Sequence, residues 1–255
     1  MGNTIQNNLD IVTVLAQKDF KIRYRNSIFG FLWSLLHPLA YMSILTLVFS
    51  LLIRVDIPNY AAWVLLGLMV WRFFSVGTAQ SLSCIADNPS LVTKMYLPRY
   101  LIVISNNLAN LLGASLEFAA LLPLIFLLGV RFTPLVLLLP VILIMEFLLI
   151  LGMSLALSAL NLKYRDVYQL WDIALQLGFF LSPIIYDTNI IPARYRTLYS
   201  LNPIACLTDS IRSIFLYNRL PSLLDTSSLL SVIAILIALG VVIFRHYEPR
   251  FAEEI

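Results

Sequence analysis

Charged residues are scarce in this chain of 255 residues. Asp, Glu, Lys and Arg make up 12% of it, whereas hydrophobic residues make up 60%. A soluble globular domain carries about 25% charged residues, because polar side chains must cover much of its surface. The composition therefore excludes an ordinary soluble domain and predicts a single integral membrane domain.

The chain also lacks the motifs that hold nucleotides or catalytic metals. A P-loop ends in Gly-Lys-Ser/Thr, so that backbone amides and the lysine grip phosphates. The two histidines, His37 and His246, are too far apart in the sequence for an HExxH zinc site. No basic face of the kind that binds nucleic acid is present either. We therefore expect no cofactor, metal or nucleic acid on this chain, and a transport subunit powered elsewhere rather than an enzyme. The four lysines follow residues other than glycine: Gln17, Phe20, Thr93 and Leu162.

What the chain does contain is a series of long apolar runs. A helix of such length crosses the roughly 30 Å of hydrocarbon in a bilayer, and it satisfies its own backbone hydrogen bonds there. We predict an all-α integral membrane fold with about six transmembrane helices. The approximate spans are 31–53, 60–81, 101–128, 135–160, 169–186 and 229–245.

The distribution of lysine and arginine indicates the orientation of these spans. Short cytoplasmic loops are rich in both residues, and a cytoplasmic N-terminus fits that rule here. We expect both termini to be cytoplasmic. The segments then inside hold Lys18, Lys21, Arg23, Arg25, Lys94, Arg99, Lys163, Arg165, Arg245 and Arg250, and the two short outer loops hold only Arg54 and Arg131.

Residues 1–30 precede the first span and form a predicted amphipathic helix. At 100° per residue, apolar side chains from Leu9 to Ile22 gather on one side, and polar ones from Asp10 to Arg25 gather on the other. Such a helix lies on the inner membrane surface. It is either a simple lipid anchor or a docking surface for a cytoplasmic partner, and the pattern alone favours neither.

The segment 187–228 is too polar to span a membrane and too apolar for a free loop. Its prolines divide it, and residues 204–217 have helical apolar spacing. Asp209 and Arg212 are placed at i and i+3, where an ion pair could form. We predict short re-entrant helices at the outer face, between the fifth and sixth spans, that cap the mouth of a passage.

Four charged residues lie within or near the predicted spans: Arg72, Glu117, Glu146 and Asp172. A charge inside a membrane usually faces protein or water and is often functional. The structural alternative is that Arg72 and Glu146 pair with each other or with the backbone, and that Asp172 reaches the interface from a helix end. Four scattered charges do not predict a proton relay.

Aromatic residues are plentiful in the first, second and fifth spans. They either pack in the core and the interfacial belt, or line a passage for sugars, whose apolar faces stack on aromatic rings. A polymer that must slide would suit such walls. The candidates for a substrate channel are Phe31, Trp33, Tyr41, Trp71, Phe74, Phe179, Phe180 and Tyr186.

Four segments, taken in order, resemble the permease subunits of type-2 ABC exporters for polysaccharides. They are YRNSIFGFLWSLLHPLAYMSILTLVFSLL (24–52), NPSLVTKMYLPRYLIVIS (88–105), YRDVYQLWDIALQLGFFLSPIIY (164–186) and LNPIACLTDSIR (201–212). Each segment alone is a weak signal, but together, in order, they extend from residue 24 to residue 212. The family exports O-antigen, capsule or teichoic-acid chains on a lipid carrier across the bacterial inner membrane.

The resemblance implies a homodimer bound to two copies of a separate ATPase, which would hold ATP and Mg²⁺. Residues 1–30 would contact that ATPase, and residues 31–255 would form the transmembrane domain. The residues implied at the ATPase interface are Lys18, Lys21, Arg25, Lys94, Tyr96 and Arg99. Those that could meet the phosphate of a lipid-linked polysaccharide at the inner gate are Arg23, Arg25 and Arg99.

Other functions remain open at this stage. A teichoic acid exporter would share the whole architecture. An exporter of drugs or small lipids would share it too, but would have a compact pocket instead of a continuous passage. A proton-coupled carrier would need no ATP. A polytopic glycan-modifying enzyme would need paired carboxylates or a metal site, and the sequence displays neither.

Overall fold

The computed structural model describes residues 2–24, 31–94, 97–192, 194–195, 199 and 201–251. Within them the regular secondary structure is helical throughout, which confirms the predicted all-α class. The α-helices are α1 Gly2–Tyr24, α2 Leu32–Thr46, α3 Tyr60–Ser83, α4 Pro89–Lys94, α5 Tyr100–Leu127, α6 Leu139–Lys163, α7 Val167–Leu181, α8 Pro203–Phe215 and α9 Leu223–Tyr247. A π-helix at Leu47–Leu52 extends α2, and 3₁₀ turns lie at Pro134–Leu138, Thr188–Ile190 and Glu248–Arg250.

Several helical segments are long and apolar enough to cross a membrane. They coincide with predicted spans one to four and six, and they confirm an integral membrane protein. The remaining prediction, at 169–186, corresponds to α7, which is apolar but has 15 residues and is therefore about 22 Å long. The five full-length segments are Leu32–Leu52, Tyr60–Ser83, Tyr100–Leu127, Pro134–Lys163 and Leu223–Arg250.

The chain after α7 continues along α3 without helical structure. α7 runs antiparallel to α3, because Trp171 donates to Thr78 at 3.1 Å while Gly178 lies against Trp71, seven residues earlier in α3. Helix α7 ends at Leu181, and Ser182 is extended, as expected for a residue that precedes proline. Together α7 and residues 182–185 run beside most of α3.

Helix α3 lies at the centre of the bundle and is the most deeply buried of the candidate spans. It contacts α2, α5, α6, α7 and α8. Helices α6 and α9 cross closely, since a Cβ on Gly152 would lie 2.8 Å from the backbone nitrogen of Ile237. Small residues allow helix backbones to approach this closely in membranes.

Helix α1 confirms the helix predicted before the first span, and it packs along α5. Val12 and Ala16, from the predicted apolar side, are buried in that contact, whereas Leu9 and Ile22 at the edges are exposed. The contact with α5 shows that α1 does more than rest on a lipid surface, because its apolar side is partly covered by protein.

A helix is also present in the segment 187–228, where short helices were predicted. Asn202 caps α8: its side-chain oxygen accepts hydrogen bonds from the backbone nitrogens of Ile204 and Ala205. Most α8 side chains are buried, and the helix packs against α3, α6 and α9. It is thus part of the core.

Candidate functional site

A cavity of about 520 Å³ lies between α2, α3 and α7, and is called here the α2–α3–α7 cavity. Its wall combines aromatic and polar side chains. Its aromatic residues are Tyr41, Trp71, Phe179 and Phe180, and its polar ones are His37, Arg72, Ser75, Asp172 and Gln176.

The aromatic side chains of the wall pack against one another. Trp71 meets Phe179 edge to face, with ring centroids 5.9 Å apart, and Phe179 meets Phe180 in the same way at 5.3 Å. On α2, the rings of His37 and Tyr41 stack at 4.6 Å. These contacts fix the rings in defined orientations, so the cavity offers preformed stacking surfaces.

Half of the predicted channel residues belong to this wall. Tyr41, Trp71, Phe179 and Phe180 line the cavity. Phe74 instead lies buried behind it, with its ring against Trp71 and Trp171.

The other three predicted channel residues lie away from the cavity lining. The hydroxyl of Tyr186 donates to the carbonyl of Phe180 at 3.0 Å and lies 2.6 Å from the hydroxyl of Tyr199. Phe31 and Trp33 lie at the start of α2, where Trp33 is exposed. Whether these residues meet a substrate stays a prediction.

The partner of Arg72 within the spans differs from the one considered in the sequence analysis. The Nε and Nη2 atoms of Arg72 donate to Glu117 on α5 at 2.9 and 3.3 Å, in a bidentate ion pair. Of the structural alternatives considered for Arg72, pairing with Glu146 is therefore wrong. Glu146 is fully buried on α6, beside the backbone of Phe74. Spacing along the chain could not reveal which helix faces would meet.

Three polar residues of the cavity wall were missed in the sequence: His37, Ser75 and Gln176. A signal for Gln176 was present, since Asp172, Gln176 and Phe179 recur at helical spacing on one side of α7. Gln176 donates to the Asp172 carboxylate at 2.8 Å. Asp172 therefore belongs to the cavity wall. His37 and Ser75 lie in apolar runs that carried no comparable signal.

Beyond the cavity, Arg212 of α8 holds the non-helical chain after α7 in place. Its guanidinium donates to the backbone carbonyls of Trp63 at 3.2 Å, Pro183 at 2.6 Å and Ile184 at 3.2 Å. It also lies 3.3 Å above the Trp63 ring. Burial lowers the pKa of this guanidinium, and the Asp209 carboxylate opposes the shift.

Two features follow from this arrangement of Arg212. Gly67 faces it, and a Cβ there would lie 2.7 Å from Arg212 Nη2, so a larger residue would displace the guanidinium. The ion pair predicted between Asp209 and Arg212 is wrong: the described ion pairs join other residues, because the backbone carbonyls occupy the guanidinium. Backbone without helical hydrogen bonds needs such partners inside a membrane protein.

At the opposite end of α3, Arg23 connects α1 to the bundle. Its Nη2 donates to the side-chain oxygens of Gln80 on α3 and of Asn110 on α5, the latter at 2.6 Å. Asn110 in turn donates to Asn106 at 3.2 Å, which accepts from Ser81 at 3.0 Å. The predicted contact of Arg23 with a lipid phosphate stays a prediction.

Lys18, predicted at the ATPase interface, also bridges two elements. Its Nζ donates to the Asn88 side chain at 3.0 Å and lies 3.9 Å from Asp19. Burial raises the pKa of the Asp19 carboxyl, while Lys18 and Arg23 oppose the shift. Lys21 is exposed nearby.

The remaining predicted interface residues are described only in part. Arg99, at the start of α5, donates to the backbone carbonyl of Glu248 at 2.6 Å. Lys94 ends α4, and its side chain lies outside the described part of the chain. Arg25 and Tyr96 lie outside the described residues altogether. The predicted ATPase contacts therefore stay predictions.

The arrangement of several membrane-length helices around a buried central one is that of a multi-pass membrane protein. The family model described as "ABC-2 type transporter" matches residues 11–216, which include most of α1, the cavity helices and α8. The chain belongs to the ABC-2 type transporter family. Membership confirms the resemblance seen in the sequence and makes the chain a transporter's membrane subunit.

Relatives within the ABC-2 type transporters cover the full architecture. The chain is 31% identical over 252 residues to an O-antigen export system permease protein RfbA of Klebsiella pneumoniae, covering 96% of this chain and 94% of the relative. A protein of the same description from Myxococcus xanthus is 32% identical over 247 residues, covering 94% of both chains. The similarity is therefore not confined to one motif.

Proposed function

We propose that this ABC-2 chain is the permease subunit of an ABC exporter that moves a lipid-linked, O-antigen-like polysaccharide out of the cytoplasm across the bacterial inner membrane. A separate ATPase would supply the energy. The relatives described as O-antigen export permeases support the substrate class. The observation that carries the proposal is the α2–α3–α7 cavity, where aromatic rings alternate with polar groups.

A second copy of the chain would complete the passage. The helices that flank the cavity, α2 and α7, present exposed apolar side chains, among them Leu36, Ile44, Leu177 and Phe180. In a homodimer these faces would be covered, and the two cavities would face a shared conduit. A polymer could then slide along ring faces, since stacking holds sugars without fixing one register.

The cytoplasmic side would receive the ATPase stroke through α1 and α4. Both elements lie near the α3 end that contains Gln80, because Arg23 binds Gln80 and Lys18 binds Asn88. Movement of α1 would reach α3 and α5 directly through Arg23. A nucleotide-driven closure of two ATPase copies is the step that would displace α1.

The orientation in this proposal has both termini in the cytoplasm. It follows from the lysine and arginine bias of the loops and from counting α7 with residues 182–185 as the fifth crossing. The carbonyls of Pro183 and Ile184 are satisfied by Arg212, which makes a non-helical stretch acceptable at that depth. α8 then lies at the outer mouth.

An exporter of drugs or small lipids is the second candidate. The cavity of about 520 Å³ falls within the range of roughly 300–1,000 Å³ that is usual for small-molecule pockets. Such an exporter would bind its substrate whole within one cavity. It would not need the row of rings to continue into a second copy.

The test compares three alanine variants by export and assembly. We expect Trp71→Ala and Phe180→Ala to reduce surface polysaccharide severalfold, because each removes a ring from the cavity wall. Phe126→Ala is the matched control: Phe126 on α5 is 60% exposed, compared with 65% for Phe180, but does not line the cavity. Surface polysaccharide is measured in cells, and the ATPase that copurifies with each variant reports assembly. Normal export by both cavity variants would contradict the proposal.

A further inference from the structure

The positive charge of Arg72 in the cavity wall is neutralised by a carboxylate that lies outside the cavity. Arg72 lines the α2–α3–α7 cavity, but Glu117 on α5 binds its Nε and Nη2 atoms at 2.9 and 3.3 Å. Glu117 does not line that cavity. A guanidinium in a bidentate pair with a carboxylate forms a unit with no net charge, which attracts a second anion only weakly. The site therefore does not have the electrostatics of a phosphate-binding site.

Among the residues that the structure describes, the anionic group in the same wall has no ion-pair partner. Asp172 accepts a hydrogen bond from Gln176 at 2.8 Å, and in the part of the chain that the structure describes no lysine, arginine or histidine lies within ion-pair distance of it. With His37 counted as neutral, Arg72, Glu117 and Asp172 together carry one negative charge. A second copy of the chain would add another such wall.

The aromatic rings of the wall also disfavour an anionic substrate. The face of a ring is the negative side of its quadrupole, so it attracts C–H groups and cations and disfavours anions. Trp71, Phe179 and Phe180 contribute such rings. The Asp172 carboxylate, the Gln176 amide and the Ser75 hydroxyl offer acceptors and donors for sugar hydroxyls.

We infer that the α2–α3–α7 cavity selects neutral, hydroxyl-rich glycan units and rejects polyanionic chains, with Asp172 as the residue that sets this specificity. The inference rests on the proposed export function and narrows its substrate class. A neutral glycan would therefore be accepted and a phosphate-linked polymer such as teichoic acid would not. Each phosphate of that polymer would have to pass the Asp172 carboxylate, which has no ion-pair partner among the described residues.

The test measures binding of two labelled soluble probes, maltohexaose and a hexamer of glycerol phosphate. The permease is purified together with its ATPase and placed in lipid nanodiscs. We expect the wild type to bind maltohexaose about tenfold more tightly, because the Asp172 carboxylate repels each phosphate brought beside it. Asp172→Lys should abolish or reverse that preference, and Asp172→Asn should reduce it while maltohexaose still binds.

Asp56→Asn is the matched control, because Asp56 lies in the loop between α2 and α3 and does not line the cavity; it should keep the wild-type preference. Equal binding of the two probes by the wild type, or binding of neither, would overturn the neutral selectivity and leave the export function standing. Failure of the export function has a different signature, namely normal surface polysaccharide in both Trp71→Ala and Phe180→Ala cells.

Discussion

The two ends of α3 are each held by an arginine, but the two arginines bind different kinds of acceptor. Arg212, at the end near Trp63, is 2% exposed and binds three backbone carbonyls. Arg23, at the end near Gln80, binds two side-chain amides. Backbone carbonyls in a non-helical stretch have no other partner at depth, whereas side-chain amides can turn to one another or to water.

The difference indicates a fixed end and an adjustable end. Near Arg212, loss of the contacts would leave buried acceptors unsatisfied, so this end serves as a frame. Near Arg23, Asn110 already has a second partner in Asn106, so the contact can break and reform at low cost. If a partner ATPase moves α1, as proposed, the end near Arg23 is the one that can respond.

The largest effect is expected for Arg212→Met, which keeps much of the side-chain length but removes every donor. The carbonyls of Pro183 and Ile184, which lie outside any helix, would lose their partner, at a cost of about 1–3 kcal/mol for each buried group left unsatisfied. We expect a large fall in the yield of monodisperse protein in detergent and in its melting temperature.

The control for Arg212 is Arg219→Met, since Arg219 is exposed in the segment after α8. That variant should behave as the wild type. A melting temperature for Arg212→Met that matches Arg219→Met would show that the end of α3 near Trp63 does not depend on the guanidinium.

For Arg23→Met we expect a smaller loss of stability but a larger loss of coupling, that is, of the export achieved per ATP hydrolysed. Gln80 and Asn110 can find other partners, so the melting temperature should fall only slightly. Export per ATP hydrolysed should fall severalfold, because α1 would lose its link to α3 and α5. Both quantities are measured on the reconstituted permease–ATPase complex.

Gln17→Met is the control for Arg23, because Gln17 is exposed on the same helix. It should change neither quantity. If Arg23→Met destabilised the protein as strongly as Arg212→Met, or left coupling intact, the contrast between the two ends would be lost.

The spans could be predicted because each depends on local composition, which needs no knowledge of neighbours. The exception is also local: Pro183 ends α7 earlier than the run of apolar residues suggests, since the residue before a proline leaves the helical region. That rule was available in the sequence, but the apolar run concealed the break.

The pairing of charges could not be predicted, because it depends on which helix faces meet. Glu117 and Glu146 lie in spans of similar character, yet Arg72 reaches only Glu117. For Arg212, the local spacing favoured Asp209, but carbonyls distant in sequence took the guanidinium. Tertiary packing overrode an i, i+3 preference worth only about 0.2–0.5 kcal/mol.

The cavity was predictable as a type of surface but not as a set of residues. Aromatic richness pointed to α2, α3 and α7, and these helices do form the wall. The turn of each helix about its axis decided the rest: Trp71 lines the cavity, and Phe74, three residues later, packs behind it.

The most direct test of the central claim, that the α2–α3–α7 cavity is the path of the exported glycan, is photo-crosslinking during stalled export. A photoreactive phenylalanine analogue replaces Phe179 in the cavity, or Phe126 on the exposed side of α5. With ATP hydrolysis blocked, we predict that the analogue at 179 becomes linked to the lipid-linked polysaccharide and that the one at 126 does not. Equal labelling at both positions, or none at 179 while the substrate is bound, would contradict the account.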